Sequence, residues 1–209
     1  NWMKKEHDDL VKKGFDWKPP VIGGPSTGRA IIDDKERIML CANNYLSMSN
    51  HPKVKQAAID AVKSHGAGSG SVRPIAGNMD IHNELEDTIA RFKNREAALY
   101  YQTGFAVNSG LIPQLAGKND AIISDQLNHG SIIDGVRLSG VKKENRTIYA
   151  HNVMGELEDR LKEATNKCQK TLVISDGVFS MDGDIAPLDE ITKLAREYGA
   201  MTYIDDCHG

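Results

Sequence analysis

The sequence predicts an α/β fold in which a mostly parallel sheet is covered by helices on both faces. From about residue 52 onward, helix-like segments alternate with short apolar segments of strand length. Short apolar strands between helices are typical of a parallel sheet that is buried on both sides. Residues 1–50 have a different pattern, so we expect an N-terminal segment over 1–50 and the first part of a large domain over 51–209.

The N-terminal segment is predicted to contain a helix, a connector and a hairpin. Residues 1–14 have an amphipathic pattern that Gly14 ends. Residues 15–29 are rich in Pro and Gly and predict an extended connector. Two apolar runs, 30–32 and 37–40, flank the charged residues 33–36 and predict a β-hairpin.

The large domain is predicted as a series of helices and strands. Apolar side chains lie on one face of 80–93 and of 188–198, where Asp80 can cap the first helix and Gly199 ends the second. The helix candidates are 52–64, 80–93, 105–116, 130–138, 155–166 and 188–198. The strand candidates are 97–101, 121–124, 147–149, 171–175 and 201–205.

Composition argues against several classes of partner. A net charge of −3 and a pI of about 6.2 give no reason to expect nucleic acid or an anionic membrane. No apolar run approaches the roughly 18 residues that a bilayer span needs, and we expect no signal peptide. Cys41, Cys168 and Cys207 lack the spacing of a disulfide framework, which favours a reducing, cytoplasmic location.

Polar residues follow four of the predicted strands, at the end where parallel sheets collect their ligands. The segments that carry them are 102–105, 125–129, 176–183 and 205–208. Because the carboxyl ends of parallel strands meet at one edge, we expect these four segments to form one site. A glycine-rich run, 66–70, lies outside this set: it follows a helix and lacks the spacing of a dinucleotide-binding or P-loop motif.

Three of these segments suggest chemistry, each with a simpler alternative. Thr103, Gly104 and Phe105 stand between a strand and a helix, which fits a phosphate site or an ordinary turn. His129 fits a general acid/base, a residue stacked on a flat ring, or a structural histidine. Asp205 ends an apolar strand, which suits the nitrogen of a protonated pyridine ring or a solvated turn.

Two further residues complete the ring site, and one lies earlier in the chain. Ser180 and His208 could hydrogen-bond a phenolic ring oxygen, whereas a metal role for His208 finds no support because no metal-ligand spacing exists. Asn43 could hold a substrate carboxylate or could cap the helix that follows His51.

Five motifs follow one another between residues 41 and 209. They are CANNYL (41–46), GAGSGSVR (66–73), SDQLNH (124–129), DGVFSMDG (176–183) and DDCHG (205–209). In this order they resemble the α-oxoamine synthases, which are pyridoxal-phosphate-dependent acyltransferases of fold type I. The resemblance implies a three-layer α-β-α large domain that is incomplete at the C-terminal end.

The resemblance also implies a role for each matching residue. His129 would stack on the pyridine ring and act as an acid, Asp205 would bind the ring nitrogen, and Ser180 and His208 would bind the ring oxygen. The catalytic residues implied are His129, Asp205 and His208. The cofactor-binding residues implied are Thr103, Gly104, Phe105, His129, Asp176, Ser180, Asp205 and His208.

Asn43 would help to hold the amino-acid carboxylate, and Asp176 occupies a position near the substrate in similar proteins. Two residues depart from the family pattern. Ser47 stands where a Gly is usual, and Cys207 stands where an Ala or Ser is usual. Neither departure changes the class that the resemblance implies.

The reaction that the resemblance implies is condensation of an amino acid with an acyl-CoA. Within the family, the stretch SDGVFSMDGDIAPLD (175–189) looks closest to glycine C-acetyltransferase, which joins glycine and acetyl-CoA. The alternative is 8-amino-7-oxononanoate synthase, which uses alanine and a pimeloyl thioester. By resemblance we also expect a homodimer.

The family's Schiff-base lysine would lie beyond residue 209, so we expect the 209 residues alone to be inactive. Segment 97–101 would likewise reach the sheet only through later strands, which leaves it without a neighbour and 201–205 at an open edge. A catalytically silent partner subunit of the same fold and an ordinary aminotransferase are the alternatives. The residue set His129, Ser180, Asp205 and His208 favours the acyltransferase over the silent subunit. The motifs Asn128-His129 and SMDG (180–183) argue against the aminotransferase.

Overall fold

The computed structural model describes residues 1–209 and separates them into two units, Asn1–Asp80 and Ile81–Gly209. The helix that begins at Pro52 therefore lies in the first unit, whereas we placed it with the large domain. The boundary that we predicted between residues 50 and 51 marks the start of the cofactor-binding domain. It stays a prediction.

The first unit contains the predicted helix and hairpin. Helix α1 (Trp2–Lys12) begins at Asn1, whose side chain accepts a hydrogen bond from the Met3 amide at 3.1 Å. Strands β1 (Arg29–Ile32) and β2 (Lys35–Ile38) pair antiparallel. The turn is only Asp33 and Asp34, shorter than the predicted 33–36, because both adopt the positive φ of a two-residue hairpin turn.

Helix α2 (Pro52–His65) follows the hairpin, and His51 caps it by accepting the Lys53 amide at 3.2 Å. The predicted cap at Asn43 is therefore wrong. Pro52 suits the first helical position, where its missing N–H costs nothing.

Strands of the second unit form a four-stranded parallel sheet in the order β4-β3-β5-β6. Helices α3 (Asp80–Phe92) and α4 (Gly104–Leu115) precede β3 (Ala121–Asp125). Helix α5 (Gly130–Leu138) leads to β4 (Arg146–Tyr149), and α6 (Met154–Thr165) leads to β5 (Thr171–Asp176). Helix α7 (Leu188–Glu197) then leads to β6 (Met201–Asp205).

Side chains of the central strands alternate between two cores. On one face Ile123 and Val173 pack with residues of α6 and α7. On the other face Ile122 and Leu172 pack with residues of α4 and α5. Each fully buried side chain of this size contributes about 1.5–3 kcal/mol. The predicted three-layer architecture is therefore confirmed.

Segment 97–101, which we predicted as a strand, is not one. It pairs with no strand, and the Tyr100 amide donates instead to the Glu86 carboxylate at 2.8 Å. This lack of a neighbour agrees with the expectation from the sequence, and β6 is an edge strand as expected for 201–205. A segment is a strand only when a neighbouring strand takes up its backbone hydrogen bonds. None of the helices combines the length and apolar character that crossing a membrane requires.

Candidate functional site

The carboxyl ends of three neighbouring strands place acidic side chains along one edge of the sheet. Asp125, Asp176 and Asp205 end β3, β5 and β6, and Asp176 is directly paired with Asp205 in the register. The turn before α4 reaches the same edge, because a Cβ on Gly104 would lie 3.4 Å from the Cys207 sulfur. The structure thus brings together the four segments that the sequence predicted as one site.

The N-terminus of α4 presents two backbone amides at this edge. Thr103 Oγ1 accepts the Ala106 amide at 3.0 Å, and the Thr103 carbonyl accepts the Val107 amide at 3.1 Å. The amides of Gly104 and Phe105 have no partner within the helix, as in any first turn. Both residues are exposed. A helix end of this kind fits an anionic group such as phosphate. Thr103 is the N-cap of this helix.

Asp205 is a half-buried carboxylate that has no cationic partner. Asn108 Nδ2 donates to its Oδ2 at 2.8 Å, and the Cys207 amide donates to its Oδ1 at 3.2 Å. Burial alone would raise the pKa of Asp205, but hydrogen bonding by the Cys207 side chain, by Asn108 and by the Cys207 amide, together with the nearby His129, outweighs burial and lowers the pKa. A charge held in this way fits a positively charged N–H group, such as that of a protonated pyridine ring.

His129 caps helix α5 and points one ring nitrogen inward. Its Nδ1 accepts the Ser131 amide at 3.2 Å and lies 2.6 Å from Ser131 Oγ. An Nδ1 that accepts a hydrogen bond is unprotonated in the neutral ring, so the proton then resides on Nε2. Nε2 is therefore the ring atom through which neutral His129 can donate a hydrogen bond.

Asp176 holds the loop that carries His129. Its Oδ2 accepts the His129 amide at 2.9 Å, and its own amide donates to Asn128 Oδ1 at 2.8 Å. Burial raises the pKa of Asp176 to about 6; the His129 amide opposes this shift and the nearby Asp205 charge adds to it. Asp176 is buried, which explains its bonds to the scaffold. A contact between Asp176 and a substrate or cofactor stays a prediction.

Ser180 and His208 flank this edge on two loops. Ser180 is exposed, whereas the preceding Phe179 is buried in the core. The loop after β5 is tied to β6 because the Gly177 amide donates to the Asp205 carbonyl at 2.8 Å. His208 is half-buried, three residues beyond Asp205. Both residues are therefore on the correct edge, and their contacts with a ring oxygen stay predictions.

Sequence reasoning missed two buried amides that organise the site. Asn128 donates to Ser124 Oγ and to the Ile174 carbonyl, both at 2.9 Å, and so joins β3 to β5. Asn108 contacts Asp205 from within α4. The available signal for Asn108 was its position in an apolar helix, where a polar side chain needs buried partners.

A histidine cluster beside the site was also missed. His151 Nδ1 lies 2.9 Å from Asp125 Oδ1, and its Nε2 lies 2.5 Å from Asp184 Oδ2. The hydrogen bonds to Asp184 and Asp125 raise the pKa of His151, although burial acts in the opposite direction. Phe179 packs edge-on against the ring at 4.3 Å between centroids. The cluster therefore fastens the loop that carries Ser180 to the ends of β3 and β4.

One predicted site residue, Asn43, lies in the first unit. Asn43 is exposed, and its role in holding a substrate carboxylate stays a prediction. Its neighbour Asn44 is structural, because its amide donates to the Ser26 carbonyl and to Ser49 Oγ, both at 2.7 Å. Ser47 adopts a left-handed backbone with φ of 53°, which explains why Gly is usual at this position in similar proteins.

The family model described as Aminotransferase class I and II matches residues 35–209. The chain belongs to this family. A relative from Alkaliphilus metalliredigens (strain QYMF), named 8-amino-7-oxononanoate synthase, is 50% identical over 208 residues, which cover 100% of this chain and 52% of the relative. The chain therefore spans about half the length of the curated relatives it matches.

Solved structures of this family share the fold. A serine palmitoyltransferase from Sphingomonas wittichii aligns with a TM-score of 0.87 and 32% identity, covering 98% of this chain and 51% of the other. A structure described as SPT with PLP aligns with the same score, identity and coverage. These similarities confirm the fold type I architecture and the α-oxoamine synthase resemblance.

Proposed function

We propose that the protein is a pyridoxal-phosphate-dependent acyltransferase that condenses an amino acid with an acyl thioester. One observation carries the proposal: a charged carboxylate without a cationic partner, Asp205, shares an edge with the unpartnered amides of a helix N-terminus. Pyridoxal phosphate has both complementary groups, because it joins a phosphate to a pyridine nitrogen. The residues present therefore fit this cofactor.

Each group of the cofactor would be held by different residues at this edge. The Gly104 and Phe105 amides would hold the phosphate, and Asp205 would hold the ring nitrogen in its protonated form. Ser180 and His208 would contact the ring oxygen, and His129 would cover one face of the ring. When bound, the cofactor supplies an electron sink that stabilises negative charge on the substrate's α-carbon.

The chain's own contribution to the reaction is to place charge and protons. Asp205 remains ionised near neutral pH because its pKa is lowered, so it favours a protonated ring nitrogen. Neutral His129 carries its proton on Nε2, since Nδ1 accepts from Ser131. His129 can therefore donate a hydrogen bond from Nε2 to an oxygen of the substrate and stabilise negative charge that develops there.

For the substrates, we favour alanine and a pimeloyl thioester over glycine and acetyl-CoA. The relatives that are about 50% identical in sequence are named 8-amino-7-oxononanoate synthase. This similarity supports 8-amino-7-oxononanoate synthase, which was the alternative in the sequence analysis. It outweighs the preference for glycine C-acetyltransferase, which came from the motifs alone. The SPT-like structures are less similar in sequence, at 32% identity.

A substrate panel tests the proposal. The protein expressed from its complete gene is assayed with alanine and glycine against pimeloyl-, acetyl- and succinyl-CoA. We expect preference for alanine with pimeloyl-CoA and an absorption band of bound cofactor in the visible. Preference for glycine with acetyl-CoA would restore the other reading. A cofactor band without turnover of any pair would favour a silent subunit, and transamination alone would favour an aminotransferase.

Quaternary structure is proposed by resemblance, and location is proposed from the cysteines. We expect a homodimer, which sedimentation at micromolar concentration tests, and a monomer there would contradict it. The three cysteines are free, in keeping with the reducing, cytoplasmic location that we predict.

A further inference from the structure

Asn108 occupies the centre of a buried hydrogen-bond network behind the site. Its side chain is 2% exposed and lies one turn into α4, beyond the amides of Gly104 and Phe105. Its Nδ2 donates to Asp205 Oδ2 and to Ser131 Oγ, both at 2.8 Å. The Tyr203 hydroxyl donates to its Oδ1 at 2.7 Å. Every polar atom of the amide is thus used.

The partners of Asn108 determine which way its amide faces. Asp205 is a carboxylate and can only accept, so the NH2 group must point toward it. Tyr203 is a protonated phenol, because burial raises its pKa to about 12 with Asp205 nearby, and its hydroxyl is therefore available to donate. The oxygen of Asn108 accordingly faces Tyr203, and both amide hydrogens face the site.

Ser131 extends the network to His129. Its Oγ accepts from Asn108, so its own hydrogen is free to be donated to His129 Nδ1, 2.6 Å away. The same Nδ1 accepts the Ser131 amide. A hydroxyl that accepts from one side and donates to the other transmits the orientation of Asn108 to the ring of His129.

Helix packing holds Asn108 in place. Gly135 of α5 lies so close to α4 that a Cβ there would overlap the Asn108 carbonyl oxygen and would approach Ile112 Cδ1 to 3.0 Å. The two helices are therefore in direct backbone contact at this level. This contact holds the Asn108 backbone in place, and from this backbone the side chain reaches Asp205 and Ser131.

We propose that Asn108 is a positioning residue that aligns Asp205 and His129 together, so that the ring-nitrogen partner and the proton donor are set by one amide. The proposal rests on the proposed function, since it takes both residues as cofactor contacts. Asn108 itself touches neither cofactor nor substrate. It acts on affinity through Asp205 and on proton position through Ser131.

Three substitutions separate the two branches of the network. Asn108→Leu removes both donors but leaves the Ser131 hydroxyl free to bond His129. Asn108→Asp keeps the shape, places a second carboxylate beside Asp205, and offers the Ser131 hydroxyl a competing acceptor. Ser131→Ala removes the bond to His129 and leaves Asp205 paired with Asn108. Gln114→Leu and Gln114→Glu, at an exposed amide of the same helix, are the matched controls.

Two measurements follow on the protein from its complete gene. Pyridoxal-phosphate affinity is expected to fall about 10-fold or more in both Asn108 variants, as for loss of a hydrogen bond to a charged group, and less than about threefold in Ser131→Ala. The 15N NMR signal of His129 Nδ1 in the cofactor-free protein is expected to change most in Ser131→Ala and Asn108→Asp. A smaller change is expected in Asn108→Leu, because the Ser131 hydroxyl there loses the donor that orients it. The Gln114 variants are expected to match wild type in both.

A different pattern overturns the proposal. Equal affinity in wild type and both Asn108 variants would remove the link to Asp205, and an unchanged His129 signal in Asn108→Asp would remove the link to His129. If the Asn108 variants do not fold, Tyr203→Phe is used instead. It removes the hydroxyl that orients the Asn108 amide, so the amide can rotate by 180°, and pyridoxal-phosphate affinity is expected to fall about threefold. Unchanged affinity in Tyr203→Phe would refute the proposal. Failure of wild type to bind pyridoxal phosphate would refute the proposed function instead, and the His129 signal would still test the network.

Discussion

Replacement of His151 with Gln tests how the loop after β5 is fastened. His151 joins Asp125, whose side chain is fully buried, to Asp184 on the loop, and it packs against Phe179. Gln keeps a polar side chain of similar length but carries no charge and no aromatic edge. The change therefore removes the charge-assisted part of both bonds while Asp125 retains the amides of Leu127 and Asn152.

The expected loss follows from the number and type of contacts. A hydrogen bond to a charged group contributes about 1.5–3 kcal/mol, and an edge-to-face ring contact adds about 0.5–1.5 kcal/mol. Asp184 is largely exposed, so solvent screening reduces its share. We expect His151→Gln to lower the free energy of unfolding by about 2–3 kcal/mol at pH 6.

The pH dependence identifies the charge on His151 as the cause. Its pKa in the folded protein is raised, so its contribution is fully present below the unfolded value of about 6.5 and is lost as pH rises through the folded value. The pKa of Asp184 is lowered by its bond to His151, so its contribution is lost only in acid. The difference between wild type and variant should therefore shrink from pH 6 to pH 9.

Denaturant unfolding at both pH values measures this difference. Hydrogen exchange locates it, because the Phe179 and Gly183 amides donate within the loop and should exchange faster in the variant. Wild type at pH 9 is the internal control. An equal loss at both pH values would show that shape rather than charge fastens the loop. Unchanged exchange at these amides would refute the assignment of the cluster to the loop.

Three other predictions concern the site and the core. Asp205→Asn should abolish most activity while the fold remains, because the neutral amide cannot hold the ring nitrogen protonated; wild-type turnover with an intact circular dichroism spectrum would contradict this. Gly135→Ala should destabilise by about 1–3 kcal/mol or more, since the added methyl meets the Asn108 backbone, which cannot rotate away; thermal unfolding checks this. Leu161→Ala should cost about 2–5 kcal/mol because the side chain is fully buried, whereas Leu138→Ala, at 65% exposure, should cost under about 0.5 kcal/mol, and similar values would refute the assigned core.

Much of the fold was predictable because its signals are local. Helix α5 has the predicted limits, 130–138, and α4 begins one residue before the predicted 105, where Thr103 caps it. Strands β3 to β6 appear within a residue or so of their predicted ranges. Caps, turn residues and apolar runs act within a few positions of the chain, so the sequence displays them directly.

Part of the site was predictable for a different reason. A parallel sheet places the ends of its strands on one edge, so recognition of β3, β5 and β6 was enough to bring His129, Asp176 and Asp205 to one place. Gly104 reaches the same edge although the segment before it is not a strand. The motif order then assigned a cofactor to that edge. Neither step required knowledge of which side chains touch.

Tertiary structure alone decided the contacts between distant residues. Asn108 meets Asp205 across 97 positions, and His151 meets Asp184 across 33, distances over which no sequence period exists. Segment 97–101 lies between these cases: its composition favours a strand, and the expectation that it would lack a neighbouring strand agrees with the structure, in which it forms none. Composition and spacing thus determined the elements and the edge where chemistry is expected. Packing determined which buried polar groups satisfy one another, because a hydrogen bond depends on position in space and not along the chain.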